Sequence, residues 1–405
     1  LVSSKKGWYS YYKIKKEPNL AIRALTQSKE LDLFVGRKEA IADLKEWQES
    51  KVTTFGILSG EAGTGKTSLV CKAFSNLKGF IRIDVSKVPS FSMAPSLIAK
   101  ALIDECLKSN CNGAKTIEKE YKYAIRVTKG RQLAAGSGPM PAKVESIYHE
   151  THVPFVVPDH VYSIVNKAIK LLHRKFHKLA LVFDEADPEL KEDATVDNVI
   201  ATIQAFELPG PSIFIWPVRS DEVRKNWRNP KSNERRLFDW HKNISHIGTV
   251  DAPSAWDILN RRLLNVGVKK GERIISPEVA EDIAVLVDGN LREFIRFCRD
   301  ILRKGAREKV KLPISLKYAI STIRKIHGEL LDSEERRMLQ YLKNSPSSAS
   351  STKLQKKFNL KRRTLQDHLD ILYKKKLVTY KRQKSKSGKY QNVYSPSKKA
   401  KLLLI

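Results

Sequence analysis

Two short stretches carry residues suited to phosphate chemistry. GEAGTGKTS, residues 60–68, satisfies G-x-x-x-x-G-K-[ST] in full. Gly60, Gly63 and Gly65 free the backbone to turn so that its N–H groups aim at phosphate oxygens. The whole run of Gly60, Glu61, Ala62, Gly63, Thr64, Gly65, Lys66, Thr67 and Ser68 is therefore expected to line a nucleotide's phosphates. Lys66 would reach the β- and γ-phosphates, and the Thr67 hydroxyl would ligate Mg²⁺. The second stretch, LALVFDEAD (179–187), is an apolar run that ends in carboxylates. Asp184 would hold the Mg²⁺ shell, Glu185 would polarise an attacking water, and Asp187 reads as a structural carboxylate. Together these residues suit phosphoryl transfer to water, in which positioning and charge neutralisation do the catalysis.

Both stretches need a scaffold that brings them together. VTTFGILSG is a short apolar strand leading into the glycine loop, and TSLVCKAFSNL continues as a helix. FIRIDVS, LALVFD, PSIFIWPV and HIGTV read as further strands. SLIAKALIDECL, VYSIVNKAIKLLHRKF and DNVIATIQAFEL read as helices between them. Strands alternating with helices imply a parallel sheet covered on both faces, with ligands at the C-terminal ends of its strands. One segment breaks the alternation. In residues 112–158, YKYAIRV and KVESIYHE alternate like strands around the turn-rich AAGSGPMP. They predict a β-hairpin insertion carrying Lys122, Arg126, Lys129, Arg131 and Lys143.

The chain has 405 residues and a formal charge of +31, which favours a polyanionic partner over a neutral one. Much of that charge sits at one end: residues 345–405 hold seventeen lysines and arginines against two aspartates. SEERRMLQYLKN predicts a helix capped by Ser333, with Met338, Leu339 and Leu342 on one face. STKLQKKFNL predicts a second helix. KRRTLQDHLDILYKKK predicts a third, with Leu365, Leu369 and Leu372 at helical spacing. LVTYKRQKSKSGKYQNVYS predicts two strands around a KSKSG tip. This order is that of a winged helix. Its third helix would offer Lys361, Arg362, Arg363, Thr364 and Gln366 to base edges. Its wing would offer Lys384, Lys386 and Lys389 to phosphates or the minor groove of duplex DNA.

Four cysteines at positions 71, 106, 111 and 298 show no zinc spacing and suit a reducing compartment. No apolar run approaches the ~20 residues that span a bilayer, so no membrane partner is expected. No signal peptide is visible, and the absent initiator Met reads as a trimmed start. The expected location is cytoplasmic (nucleoid-associated) or nuclear, not secreted. The letters DEAD alone suggest an RNA helicase, but no second nucleotide-binding core follows PSIFIWPV, and that reading fails on architecture.

The order of these pieces resembles the AAA+ ATPases, and most of all the origin-recognition and archaeal replication-initiator family. FVGR (Phe34–Arg37) resembles the segment lining the adenine pocket there, which carries over to Val35, Gly36 and Arg37. DEAD resembles that family's Walker B. GNLREFIRF (289–297) resembles its sensor-2 motif at the start of a lid helix, which makes Arg292 a γ-phosphate contact. Sensor 1 would be Arg219 or Ser220 in WPVRSDE. An arginine finger donated to a neighbouring copy would be Arg235 or Arg236 in NERRLFDW.

The resemblance implies an α/β fold: a parallel-sheet P-loop AAA+ core with an all-helical lid and a C-terminal winged-helix domain. The expected boundaries are a basic aromatic arm over 1–30, the core over 31–251, the lid over 252–312 and the winged helix over 313–405. It implies ATP or ADP and Mg²⁺ as cofactors and self-association through the core. Replication or recombination proteins would be the protein partners. Three functions stay open: a DNA-binding initiator or loader, a STAND-type signalling or defence ATPase, and a DNA-mobility ATPase that marks targets for a recombinase. A transcription regulator with a vestigial ATPase is disfavoured by the complete set of Lys66, Thr67, Asp184 and Glu185.

Overall fold

The alternating apolar runs become the strands of one parallel sheet, β1 (Thr54–Ser59), β2 (Phe80–Asp84), β3 (Ala180–Asp184), β4 (Ile213–Val218) and β5 (His241–His246), in the order β2-β3-β4-β1-β5. The computed structural model describes residues 8–12, 18, 20, 24–88, 90–134, 158–186, 195–219, 241–269, 273–327, 330–384 and 390–405. They fall into two compact units, one of residues 24–248 and the other of residues 1–23 with 249–405.

In the first unit the two-residue period of a strand divides each apolar run between two cores. Phe55, Ile57, Leu181, Phe183, Phe214 and Trp216 face one cluster, while Leu58, Ala180, Val182, Ile213 and Ile215 face the other. Helix α1 (Ser28–Leu31) packs on the phosphate-loop helix α3 (Lys66–Ala73), as does α2 (Lys38–Glu49). On the opposite face of the sheet α4 (Ala94–Lys108), α5 (Ala114–Ala134) and α6 (Pro158–Phe176) pack on one another. Helix α7 (Val196–Gln204) contributes Val199 and Ile203 to that face.

Two expectations need correction. YKYAIRV is not a strand of a hairpin but the middle of α5. Ile117, Tyr121 and Ala124 are buried at helical spacing, while Tyr123, which a strand would have placed beside Tyr121, is exposed. The partner strand KVESIYHE, with Lys143, lies outside the described residues. The fifth strand is HKNISH (241–246), earlier than the apolar HIGTV. As an edge strand it has one neighbour, so it carries little of the apolar signal that marks central strands.

The second unit begins with the N-terminal arm. Trp8–Tyr12 forms a 3-10 turn against α10 (Leu291–Arg307), with the Tyr12 hydroxyl donating to the Leu302 carbonyl at 2.7 Å and Tyr11 to the Val310 carbonyl at 2.9 Å. The described residues between 252 and 312 form α8 (Ala252–Leu264), α9 (Pro277–Leu286) and α10.

Helix α11 (Leu316–His327) packs on α9 and α10, with His327 Nε2 3.1 Å from Asp300. The expected winged helix follows as α12 (Ser333–Asn344), α13 (Thr352–Phe358), α14 (Arg362–Lys374), β6 (Val378–Lys384) and β7 (Tyr390–Pro396). The cap of α12 is Asp332, not Ser333: its carboxylate accepts from Glu335 N, and the Glu335 side chain accepts from Asp332 N. A last helix, α15 (Lys398–Leu403), returns to α9, where Lys398 pairs with Asp282 and Lys399 with Asp288. Among the described residues no helix is long and apolar enough to cross a membrane, and the four cysteines are free and buried.

Candidate functional site

The loop after β1 and the turn after β3 meet at the C-terminal end of the sheet. Thr67 Oγ1 donates to Asp184 Oδ1 at 3.1 Å across 117 positions of sequence. The loop's shape depends on its glycines. Gly65 caps α3 with φ +94°, in the left-handed region that glycine enters without strain. A Cβ on Gly60 would stand 2.5 Å from the Ile247 carbonyl oxygen, so only glycine lets the loop pass beside the end of β5. Helix α3 begins at Lys66, and its first-turn N–H groups and dipole make an anion site. The Lys66 ammonium donates to the carbonyls of Gly60 at 2.6 Å and Glu61 at 3.0 Å. Two loop side chains are structural. The Thr64 hydroxyl donates to Glu61 O at 2.9 Å, and Ser68 Oγ accepts from Leu25 N at 2.8 Å. The hydroxyl of Ser68, which the motif places on the phosphates, thus ties the loop helix to the preceding chain.

Asp184, the last residue of β3, and Glu185, the residue after it, each have an arginine beside them. Asp184 is buried, and Arg82 Nε from β2 donates to its Oδ2 at 2.8 Å. Burial lowers the Arg82 pKa, but the Asp184 charge and hydrogen bond and the nearby Asp84 outweigh it, and the net shift is upward. Glu185 adopts φ +59°, unusual for a side chain of its size. Its Oε2 accepts from Arg219 Nη2 at 2.7 Å, and the Trp216 indole N–H donates to the next carbonyl, Ala186 O. Arg219 is the residue after β4, and β4 lies between β1 and β3. Sequence reasoning missed Arg82; an arginine in the middle of the strand FIRID, between the buried Ile81 and Ile83, was the available signal.

The FVGR segment is pinned by Arg37, whose Nη2 donates to Gly248 O at 2.6 Å, with Arg37 itself at φ +58°. Phe34 packs into the core, and Val35 and Gly36 are half-buried. In the second unit Asn290 caps α10, accepting from the N–H groups of Arg292 and Glu293, and Arg292 is exposed on the first turn. Ser220, Arg235, Arg236, Asp187, Lys386 and Lys389 lie outside the described residues.

On the winged-helix module Leu365, Leu369 and Leu372 of α14 are buried, as their spacing predicts, and so are Met338, Leu339 and Leu342 of α12 and Leu354 of α13. Lys361, Arg362, Arg363 and Thr364 are exposed at the start of α14, and Lys384 is exposed at the end of β6. Gln366 is turned inward instead. Its amide donates to the Tyr394 hydroxyl and to Asp370 Oδ1, each at 2.8 Å. Asn359, with φ +53°, ends α13 and makes the turn into α14.

The class these features define is an α/β P-loop fold, consistent with an AAA+ core followed by a winged helix. It has a parallel sheet in 2-3-4-1-5 order, a phosphate loop after β1, carboxylates after β3, a helical region and a C-terminal helix-turn-helix with a β-hairpin. No protein-family model matches the sequence, and no curated protein is significantly similar to it. Among solved structures the chain aligns with the ORC1 protein of Aeropyrum pernix in complex with DNA, at 13% identity over 98% of this chain and 96% of that chain, TM-score 0.45. It aligns with the ORC2 protein of the same organism in ADPNP–ADP complexes, at 12% identity over 98% and 96%, TM-score 0.48. It also aligns with the Walker-type ATPase of Pyrococcus abyssi, at 17% identity over 95% and 99%, TM-score 0.45.

Proposed function

We propose that this chain binds and hydrolyses ATP and uses the bound nucleotide to govern the grip of its winged helix on duplex DNA, as an initiator or loader would. The observation that carries the ATPase half is the Thr67–Asp184 contact, which joins the phosphate loop to the carboxylate turn.

The donor set suits a magnesium nucleotide. The Thr67 hydroxyl and the Asp184 carboxylate are hard oxygen donors 3.1 Å apart, and Arg82 occupies Asp184 Oδ2 while Oδ1 faces Thr67. When bound, Mg²⁺ supplies charge neutralisation on the phosphate oxygens. The amides at the start of α3 bind the phosphates, and Lys66 adds a fixed cation to the loop. Glu185 accepts the proton of the attacking water, and Arg219 keeps its carboxylate oriented. Arg292 acts as a γ-phosphate sensor, and Arg235 or Arg236 of a neighbouring copy acts as its finger.

Support for the DNA half is the exposed basic start of α14, within residues 345–405, which hold seventeen basic side chains and two aspartates. The test measures duplex affinity by fluorescence anisotropy over a salt series, with and without ATP, using the Glu185→Gln protein to hold ATP unhydrolysed. Expected are a steep loss of affinity with salt, tighter binding with ATP, and about tenfold or greater loss on changing Arg362 and Arg363 to Ala. If the double arginine variant binds duplex as the parent does, the winged helix is a packing module and the signalling-type reading takes over.

A further inference from the structure

The hairpin after α14 carries a second surface, separate from the exposed start of that helix. β6 and β7 pair so that Tyr380 lies opposite Tyr394, Arg382 opposite Asn392 and Lys384 opposite Tyr390. Strand alternation puts all six on one face of the hairpin. At the base of this face Tyr394 is only 2% exposed, and its hydroxyl meets Gln366 and Asp370. Further out the rings enter solvent. Tyr373 of α14 is 49% exposed, Tyr380 43% and Tyr390 62%. Tyr380 bridges Tyr373 and Tyr394, with ring centroids 5.2 and 5.6 Å away. The Arg382 guanidinium lies over the Tyr390 ring at 5.1 Å and the Lys384 ammonium at 6.0 Å. Residues 378–396 hold five basic side chains and no carboxylate.

Core packing accounts for Tyr394 but not for Tyr380 and Tyr390, which leave about half of their surface in water. Duplex binding would use such tyrosines through their hydroxyls on phosphates and leave the ring faces idle. Bases in a duplex are stacked on each other and present only their edges, which cations and small polar groups read. Free base faces belong to single strands, and exposed aromatic rings among cations are what holds them. From Tyr380 to the level of Lys384 and Tyr390 is four residues of strand, about 13 Å, enough for a site near the lower limit of ~4 nucleotides.

We propose that the hairpin face formed by Tyr380, Arg382, Lys384 and Tyr390, together with Tyr373, binds single-stranded nucleic acid by stacking unpaired bases on the tyrosine rings. This goes beyond duplex binding by the start of α14 and needs neither ATP nor the ATPase unit. A protein with both surfaces would hold a junction of duplex and unpaired strand.

The test uses the full chain and fluorescence anisotropy with labelled oligo-dT, oligo-U and a duplex of the same length. Tyr380→Ala with Tyr390→Ala should weaken binding of oligo-dT, oligo-U or both by about tenfold or more, with duplex affinity within about threefold of the parent. Tyr380→Phe with Tyr390→Phe keeps the rings and should bind like the parent. Arg362→Ala with Arg363→Ala should show the reverse pattern, losing duplex and keeping the single strand. Tyr390→Ala alone, at the most exposed ring, gives the same reading if the double Ala protein unfolds more easily. Unchanged single-strand affinity in the Ala variants, or an equal loss for duplex and single strand, overturns the proposal. A parent that binds oligo-dT through these tyrosines but ignores duplex overturns the proposed function and leaves this surface standing.

Discussion

Arg219 Nη2 donates to Glu185 Oε2 at 2.7 Å, joining the residue after β4 to the residue after β3. The sheet order makes this contact possible, because β4 runs between the strand that feeds the phosphate loop and the strand that feeds the carboxylates. Glu185 is held at φ +59°, a conformation that costs a non-glycine residue about 1 kcal/mol or more. The Arg219 pair and the Trp216 bond to Ala186 O offset that cost. The pair therefore fixes where the carboxylate points.

Arg219→Ala should release Glu185 and lower the ATP turnover number by about tenfold or more, since a positioned base is worth ~10²–10⁴. Nucleotide affinity should stay within about threefold, because the phosphate loop is untouched. Steady-state ATPase assays beside equilibrium binding of a fluorescent ADP separate the two effects. A faster variant would mean that Arg219 restrains Glu185 instead of aiming it.

Arg82 and Asp184 support a metal-dependent stability prediction. Asp184 is buried, and removing the arginine beside it leaves a carboxylate short of positive charge, a change that is strongly destabilising for buried pairs. Arg82→Gln should melt several degrees below the parent in EDTA. Added Mg²⁺ should restore part of the loss, because a cation bound at Asp184 stabilises only the folded form. Thermal melts with and without Mg²⁺ decide it; an Mg²⁺ effect equal in both proteins would separate Arg82 from the metal position.

How much of this was legible in the sequence depends on how local each signal is. GEAGTGKTS and LVFDEAD fix their own turns, so the phosphate loop, Asp184 and Glu185 are where their motifs place them. Leucines at helical spacing located α14 and its neighbours for the same reason. What failed was settled by tertiary partners. YKYAIRV has a strand's alternation, yet Tyr121 is buried with its hydroxyl donating to Ser96 O of α4, while Tyr123 stays in water. Gln366 sits among positions expected to face DNA, but Tyr394, twenty-eight residues on, takes its amide instead. Arg82 and Tyr12 gain meaning only from residues 102 and 290 positions away.

The buried thiols predict a pH limit. Burial pushes Cys71 up to about 11 and Cys106 up to about 12, and raises Cys298 as well, from a usual value near 9. A raised folded-state value means the fold favours the protonated thiol. That stability is complete below pH 9 and is lost as the pH climbs from 9 towards the folded values. The urea midpoint should therefore be flat between pH 7 and 8 and should fall between pH 9 and 11. At pH 8 a maleimide should leave Cys71, Cys106 and Cys298 unmodified in the native protein and label them in urea. Native labelling of Cys71 would show that α3 opens far more readily than its packing implies.

Tyr12 decides what the N-terminal arm is for. Its ring is 5% exposed, its hydroxyl reaches the Leu302 carbonyl, and a Cβ on Gly305 would come within 2.8 Å of that hydroxyl. The arm and α10 therefore touch at a point where the helix has no side chain. Tyr12→Ala leaves a cavity there and should cost about 3 kcal/mol. Tyr12→Phe removes only the hydrogen bond and should cost about 1 kcal/mol. Duplex affinity, measured well below the melting temperature, should stay within about threefold for both, since the ring faces α10 and not solvent. Urea midpoints and anisotropy on the same preparations test the pair together. An unchanged midpoint with a large loss of DNA affinity would instead make the arm part of the nucleic-acid surface.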